Sequence, residues 1–249
     1  MRPIYPAVLL AAGLVLSAQA ADIRVLSPGF VSKSGLVDLA AAFTKETGTK
    51  VIVTDDGMAR IVNDIKTGTP PADVIVLPLD LMGRLALDGG IEEGSYTPLG
   101  RVKIGLAVKA GAPHPDISTV AKLIAVLKNA KEVMYNDPKG GSMEAGIIDA
   151  ILKRPDFAGV HATSPAKGEG GEALAHGEGD MALQLIPEIL NQRNIELVGP
   201  LPSELGAHMD GAAAVSARAT DAKDALAFIR YITRPEATAV WKAKGLDRF

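Results

Sequence analysis

A chain of 249 residues with a net charge of −3 and no cysteine can bury a core without disulfides, and it offers neither thiolate metal ligands nor a cysteine nucleophile. Its Lys and Arg residues are scattered rather than clustered, which argues against nucleic acid or an anionic membrane as partner. Aromatic residues make up only 4%, so a stacking platform for sugars or bases is not expected. The four histidines (His114, His161, His176 and His208) lie far apart without metal-ligand spacing, and neither a metal site nor a cofactor is expected.

In chain order, Arg2, the apolar run Ala7–Leu16 and Ala18-Gln19-Ala20 read as a secretory leader over 1–20. The run is too short to span a bilayer, which takes roughly 20 residues. The mature chain is therefore expected to begin near Ala21 and to act in the periplasm, with no cysteine to carry a lipid. Ile23–Leu26 reads as a buried strand, and Ser27-Pro28-Gly29 as a turn. A helix with Leu36, Leu39, Ala40 and Phe43 on one face follows, closed by Gly48. Val51–Val53 is the next strand; Thr54-Asp55-Asp56-Gly57 leads into a helix carrying Met58, Ile61, Val62 and Ile65. Asp73–Leu77 is apolar enough for a strand covered on both faces. After Val102–Val108 and a Gly/Pro break at 110–115, Ser118 is expected to cap a helix with Val120, Leu123, Ile124 and Leu127. Strands are expected at Asp180–Gln184, Ile195–Val198 and Ala212–Val215, and helices at Ala222–Ile232 and Pro235–Lys244. Strands alternating with amphipathic helices predict α/β architecture with mostly parallel sheets.

The most informative stretch runs from Tyr135 to Gly146. A strand-like run ends there, Gly140-Gly141-Ser142 turns, and an apolar periodic helix begins. Strand, glycine turn and helix start together present free N–H groups and the positive end of a helix dipole, a place where anions bind. The plainer alternative is a turn at Asp137-Pro138 with Ser142 as an ordinary N-cap. Similar junctions occur at Ser27-Pro28-Gly29 and at Asp55–Met58. Gln184, at a strand end, adds a neutral amide. In open α/β sheets ligands bind at such carboxyl ends, so these junctions form one candidate site.

Several pieces together resemble the periplasmic solute-binding proteins of ABC importers, type II, in the molybdate-binding branch. They are Ile23–Ser27 with the helix after it, Phe43–Gly48, Gly68–Val74, Tyr135–Ser142, Gly177–Asp180 and Tyr231–Ala237. The resemblance implies two α/β lobes joined by a two-strand hinge, the first being 22–104 plus 205–249 and the second 105–204. It also implies a monomer that holds a small anion in the cleft and presents it to an inner-membrane ABC permease. Carried onto this chain, the ligand loops fall on Ser27, Gly29, Asp56, Gly57, Met58, Gly141, Ser142 and Gln184. The acidic pair Asp55-Asp56 departs from the pattern of oxyanion binders, because a carboxylate repels a bound dianion. Alternatively, Asp56 only caps the following helix. Lys33, Arg60 and Lys139, near these loops, suit an organic anion with a polar or cationic group. The stretches 105–113 and 197–202 resemble a branch that includes exported aconitate isomerases. In that alternative Asp55 or Asp56 would remove an allylic proton. No G-x-S-x-G elbow surrounds Ser142.

Overall fold

The structure, a computed structural model, describes residues 22–140 and 142–249. The leader at 1–20 and Gly141 lie outside the described residues. The chain opens with β1 (Ile23–Ser27) and α1 (Gly29–Val31), which passes through a π turn at Ser32–Leu36 into α2 (Val37–Thr47). β2 (Val51–Asp55), α3 (Met58–Thr67), β3 (Val74–Pro78) and α4 (Leu79–Leu87) complete two βαβ crossings. The 13-residue β4 (Thr97–Lys109) follows, then α5 (Val120–Asn129), β5 (Val133–Met134), α6 (Met143–Leu152) and β6 (Ala162–Thr163). The remaining elements are α7 (Gly170–Ala175), β7 (Met181–Leu185), α8 (Ile186–Asn191), β8 (Ile195–Pro200), β9 (His208–Val215), α9 (Ala222–Thr233), α10 (Thr238–Ala243) and β10 (Leu246–Arg248).

Strand order is β2-β1-β3-β9-β4-β7-β5-β6, with β8 and β10 also pairing β4. The parallel pairs are the ones joined by helical crossovers, β2-β1-β3 in one half and β7-β5-β6 in the other. Antiparallel pairing is confined to β4, β9, β8 and β10, with β7 and β3 at the junctions. The two halves share β4. Its first part pairs β9 and β10, its last part β7 and β8. The chain returns through 201–207, where the Leu201 N–H donates to the Ile104 carbonyl (3.0 Å) and the Ile104 N–H to the Ala207 carbonyl (2.9 Å).

Both faces of each half are covered. On β3, Val74 and Val76 pack on one face while Ile75 and Leu77 pack on the other with Ile61, Ile65, Met82 and Leu85 of α3 and α4. The apolar run read as a two-faced strand therefore sits in the interior of its sheet. In the second half, Met134, Ala182 and Ala107 meet Ala173, Leu174 and Ile189 of α7 and α8. Glycines end the early helices as the sequence implies: Gly48 (φ 81) closes α2 and Gly68 (φ 75) closes α3.

Some expectations shift. Thr119, not Ser118, caps α5 by accepting the Lys122 N–H at 3.3 Å. Gly57 is the N-cap of α3, while the Asp56 carboxylate accepts the Gly57 N–H at 2.8 Å. The elements α4, α7, α8 and β10 did not stand out in the sequence. Three are short, and α8 follows β7 without a turn residue between them. Trp241 is fully buried and its indole N–H donates to the Ile232 carbonyl at 2.7 Å, a core role for the only tryptophan.

Candidate functional site

Between the halves lies a cavity of about 610 Å³. From the first half it is lined by Pro28–Phe30, Lys33, Asp55–Arg60 and Met209, and from the second by Asn136, Gly140, Ser142, Glu144, Glu169, Leu185 and Glu188. Three helix starts therefore face one space: α1 after Pro28, α3 after Gly57 and α6 after Ser142. The first-turn N–H groups of a helix have no partner within it, and the dipole adds positive potential there. A second cavity, of about 540 Å³, opens where the chain crosses between the halves. Its cations are already spent, Arg101 on Asp210 at 2.7 Å and Lys103 on Asp247 at 2.8 Å. The first cavity is the better candidate.

Of the residues singled out in the sequence, Gly29, Asp55, Asp56, Gly57, Met58 and Ser142 line this cleft. Lys33 and Arg60 do as well, whereas Lys139 is not on the wall. Ser142 caps α6, its Oγ accepting the Ala145 N–H at 3.4 Å. Two residues are turned away. Ser27 is fully buried at the foot of β1, and its hydroxyl donates to the Pro28 carbonyl at 3.1 Å. Gln184 lies under the wall: its Oε1 accepts the Gly171 N–H at 2.6 Å, and its Nε2 donates to Glu169 at 2.6 Å and Glu188 at 2.8 Å. It organises the carboxylates that line the cleft rather than facing the cavity itself.

Those carboxylates went unread in the sequence. Glu188 sits at the start of α8 and Glu169 just before α7, and the Lys33 ammonium bridges them from the opposite half at 3.7 and 3.6 Å. The Asn191 amide donates to the Lys33 carbonyl at 3.2 Å, a further link across the cleft. Glu144 is only 3% exposed. Its two oxygens accept the Leu185 N–H at 2.8 Å and the Asn136 amide at 3.1 Å. Burial pushes its carboxyl well above the usual range, and the charges of Glu188 and Glu169 act in the same direction. Glu188 is pushed up to about 7, first by burial and then by Glu169, against the Gln184 hydrogen bond and Lys33. For Lys33, burial acts downward, but Glu188, Glu169 and Asp55 together leave its affinity for the proton raised. Arg60 is engaged with Asp56 at 3.0 Å and Asp64 at 3.9 Å. Among the described residues no His/Cys/Asp/Glu group has the arrangement to hold a metal ion, and no helix is long and apolar enough to cross a membrane.

The bacterial extracellular solute-binding protein model matches residues 23–247. The chain belongs to that family. Its fold is the two-lobed periplasmic-binding-protein fold of the molybdate-binding type. The substrate-binding domain of a putative molybdenum ABC transporter from Clostridium difficile superposes with a TM-score of 0.75 at 11% identity, over 92% of this chain and all (100%) of that one. The Azotobacter vinelandii periplasmic molybdate-binding protein gives 0.68 at 17% identity, over 90% and 98%. In sequence, an aconitate isomerase from Pseudomonas sp is 27% identical over 96% of this chain and 93% of its own length. Membership of an extracellular family agrees with a periplasmic place of action.

Proposed function

We propose that the protein is the substrate-binding component of an ABC-type importer, and that it holds a small organic anion in the inter-lobe cleft. In this reading the first lobe is 22–104 plus 205–249 and the second 105–204. A monomer closes on its ligand by a hinge motion about β4 and the 201–207 return, and the closed form meets an inner-membrane permease. The observation that carries the proposal is the meeting of helix starts from both halves at one cavity, which gives an anion neutral main-chain donors from each lobe. A compact dianion such as molybdate is less well served. Asp55, Asp56, Glu169 and Glu188 share the wall, and unit charges 4 Å apart repel by roughly 4 kcal/mol at an effective dielectric of 20. An extended organic acid can keep its carboxylate at the helix starts and away from that wall.

Thermal-shift titration with molybdate, tungstate, sulfate, citrate, aconitate and amino acids tests the reading. The true ligand gives a saturable rise, about 2.7 kcal/mol of stabilisation at 100 times Kd. A flat response across organic acids and oxyanions alike would remove it.

A second reading is favoured by two observations: the aconitate isomerase matches along nearly its whole length, and Glu188 is a cleft carboxyl pushed up to about 7. A group with that proton affinity serves as general base near neutrality, and Asp55 or Asp56 on the same wall could share the proton shift. Incubation with cis-aconitate, followed by a search for the trans isomer, decides it; no turnover at micromolar protein excludes this chemistry.

A further inference from the structure

The cleft brings helix starts and carboxylates together, and the balance of their charges carries information about the ligand. It is reached by the helix starts at Met58 and Met143, after Gly57 and Ser142. It also gathers Asp55, Glu169 and Glu188 around a single ammonium, that of Lys33. Arg60 does not relieve this excess, since Asp56 and Asp64 already engage it. Gln184 gives its amide protons to Glu169 and Glu188 but brings no charge. The Ser32 hydroxyl donates to Asp55 at 2.7 Å, again without charge. Glu144, buried at the cleft lining, adds a further acid rather than a cation.

We propose that the ligand is an organic acid that also carries an ammonium group, with its carboxylate at the helix starts and its cation among Asp55, Glu169 and Glu188 beside Lys33. This deepens the solute-binding reading and rests on it. A second cation there balances what Lys33 leaves uncompensated, while a purely anionic ligand adds to the excess.

The two cases move protons in opposite directions. Glu188 faces Glu169, Asp55, Lys33 and Glu144, and its carboxyl is pushed up to about 7. A cation placed beside it favours the ionised form, so binding at pH 7 releases a proton. An anion favours the protonated form, so binding takes one up.

Isothermal titration of the mature protein with matched pairs, L-aspartate against succinate, L-glutamate against glutarate and β-alanine against propionate, tests this. Each titration is run at pH 7 in two buffers of different ionisation enthalpy. The expected result is that, within a pair, the amino acid binds about tenfold tighter or more, with proton release. Glu188→Gln should weaken the amino acid by roughly tenfold and remove the proton release. Equal or tighter binding of the des-amino acid, or proton uptake, overturns the proposal while leaving the solute-binding reading intact. Amino-acid affinity unchanged in Glu188→Gln, Glu169→Gln and Asp55→Asn also overturns it, because the cation then sits elsewhere. If no pair binds and the wider thermal-shift panel is flat as well, both fall together.

Discussion

Ser142 closes the first turn of α6 while lining the cleft, so a residue that serves the helix also borders the cavity. Ser142→Ala is expected to cost about 1 kcal/mol of stability through the lost cap. It should also weaken ligand affinity by about tenfold, the loss of a hydrogen bond to a charged group. Denaturation and titration on one sample read the two effects separately; unchanged affinity would make Ser142 a cap alone. Glu188 gives a second prediction at this scale. Its folded carboxyl titrates near 7, above the 4.5 of an unperturbed glutamate. The neutral form is the one the fold tolerates, so its contribution is fully present below pH 4.5 and fades as pH rises through about 7. The loss is on the order of 1–3 kcal/mol. Melting temperature followed between pH 4.5 and 8 should fall across that window, and Glu188→Gln should flatten the slope.

Short elements hold these side chains in place, and their spacing is set by glycine. The start of α7 presses against the end of β5. A Cβ added at Gly170 would stand 2.6 Å from the Tyr135 Cα and 2.8 Å from its N. The Gly170 N–H also donates to the side-chain amide oxygen Oδ1 of Asn136 at 2.7 Å, which ties α7 to the residue that supports Glu144. Gly170→Ala should push α7 away from the sheet and carry Glu169 with it. The expected cost is about 1–3 kcal/mol with a loss of ligand affinity, seen by chemical denaturation and titration. Native stability with full affinity would mean that the backbone gives way there without consequence. Gly35 plays a different part. With φ 114 it breaks the helical backbone inside the π turn between α1 and α2, a backbone state that side chains resist, and that turn carries Lys33 to the cleft wall and Ser32 to Asp55.

Across the whole molecule, the two halves are joined covalently at β4 and the 201–207 return, and across the cleft by Lys33 with Glu169 and Glu188 and by Asn191 with the Lys33 carbonyl. The ion pairs are partly exposed, so their contribution to global stability is small, about 0–1 kcal/mol. Their effect on lobe separation is expected to be larger, because they tie the two sides of the cleft directly, beside the packing of Ile186 and Pro187 on Gly245. Lys33→Met should therefore leave the melting temperature almost unchanged while raising the ligand-free radius of gyration in small-angle scattering. An unaltered radius would assign closure to packing at the crossing instead.

Most of the architecture could be read from the chain because it is written in local patterns. Leu36, Leu39, Ala40 and Phe43 fall on one helical face, all buried, and Gly48 and Gly68 end their helices. The junctions at Gly29, Asp55–Met58 and Ser142 could be found because strand ends and helix starts in α/β folds gather ligands. Neighbours on the chain are enough for such patterns. The acidic wall was not readable in this way: Lys33, Glu144, Glu169 and Glu188 are isolated charges in the sequence, and each alone looks like a solvated surface residue. Only the fold places them together: it buries Glu144 against Asn136 and Leu185 of its own half and sets Lys33 of the first half beside Glu169 and Glu188. Burial and mutual charge, rather than residue type, then set what those carboxyls do. The sequence by itself determined most of the longer elements and the loops that begin α3 and α6, while α4, α7, α8 and β10 emerged only in the fold. The tertiary structure decided which charges meet across the cleft, since electrostatic energy depends on distance and dielectric and not on order along the chain.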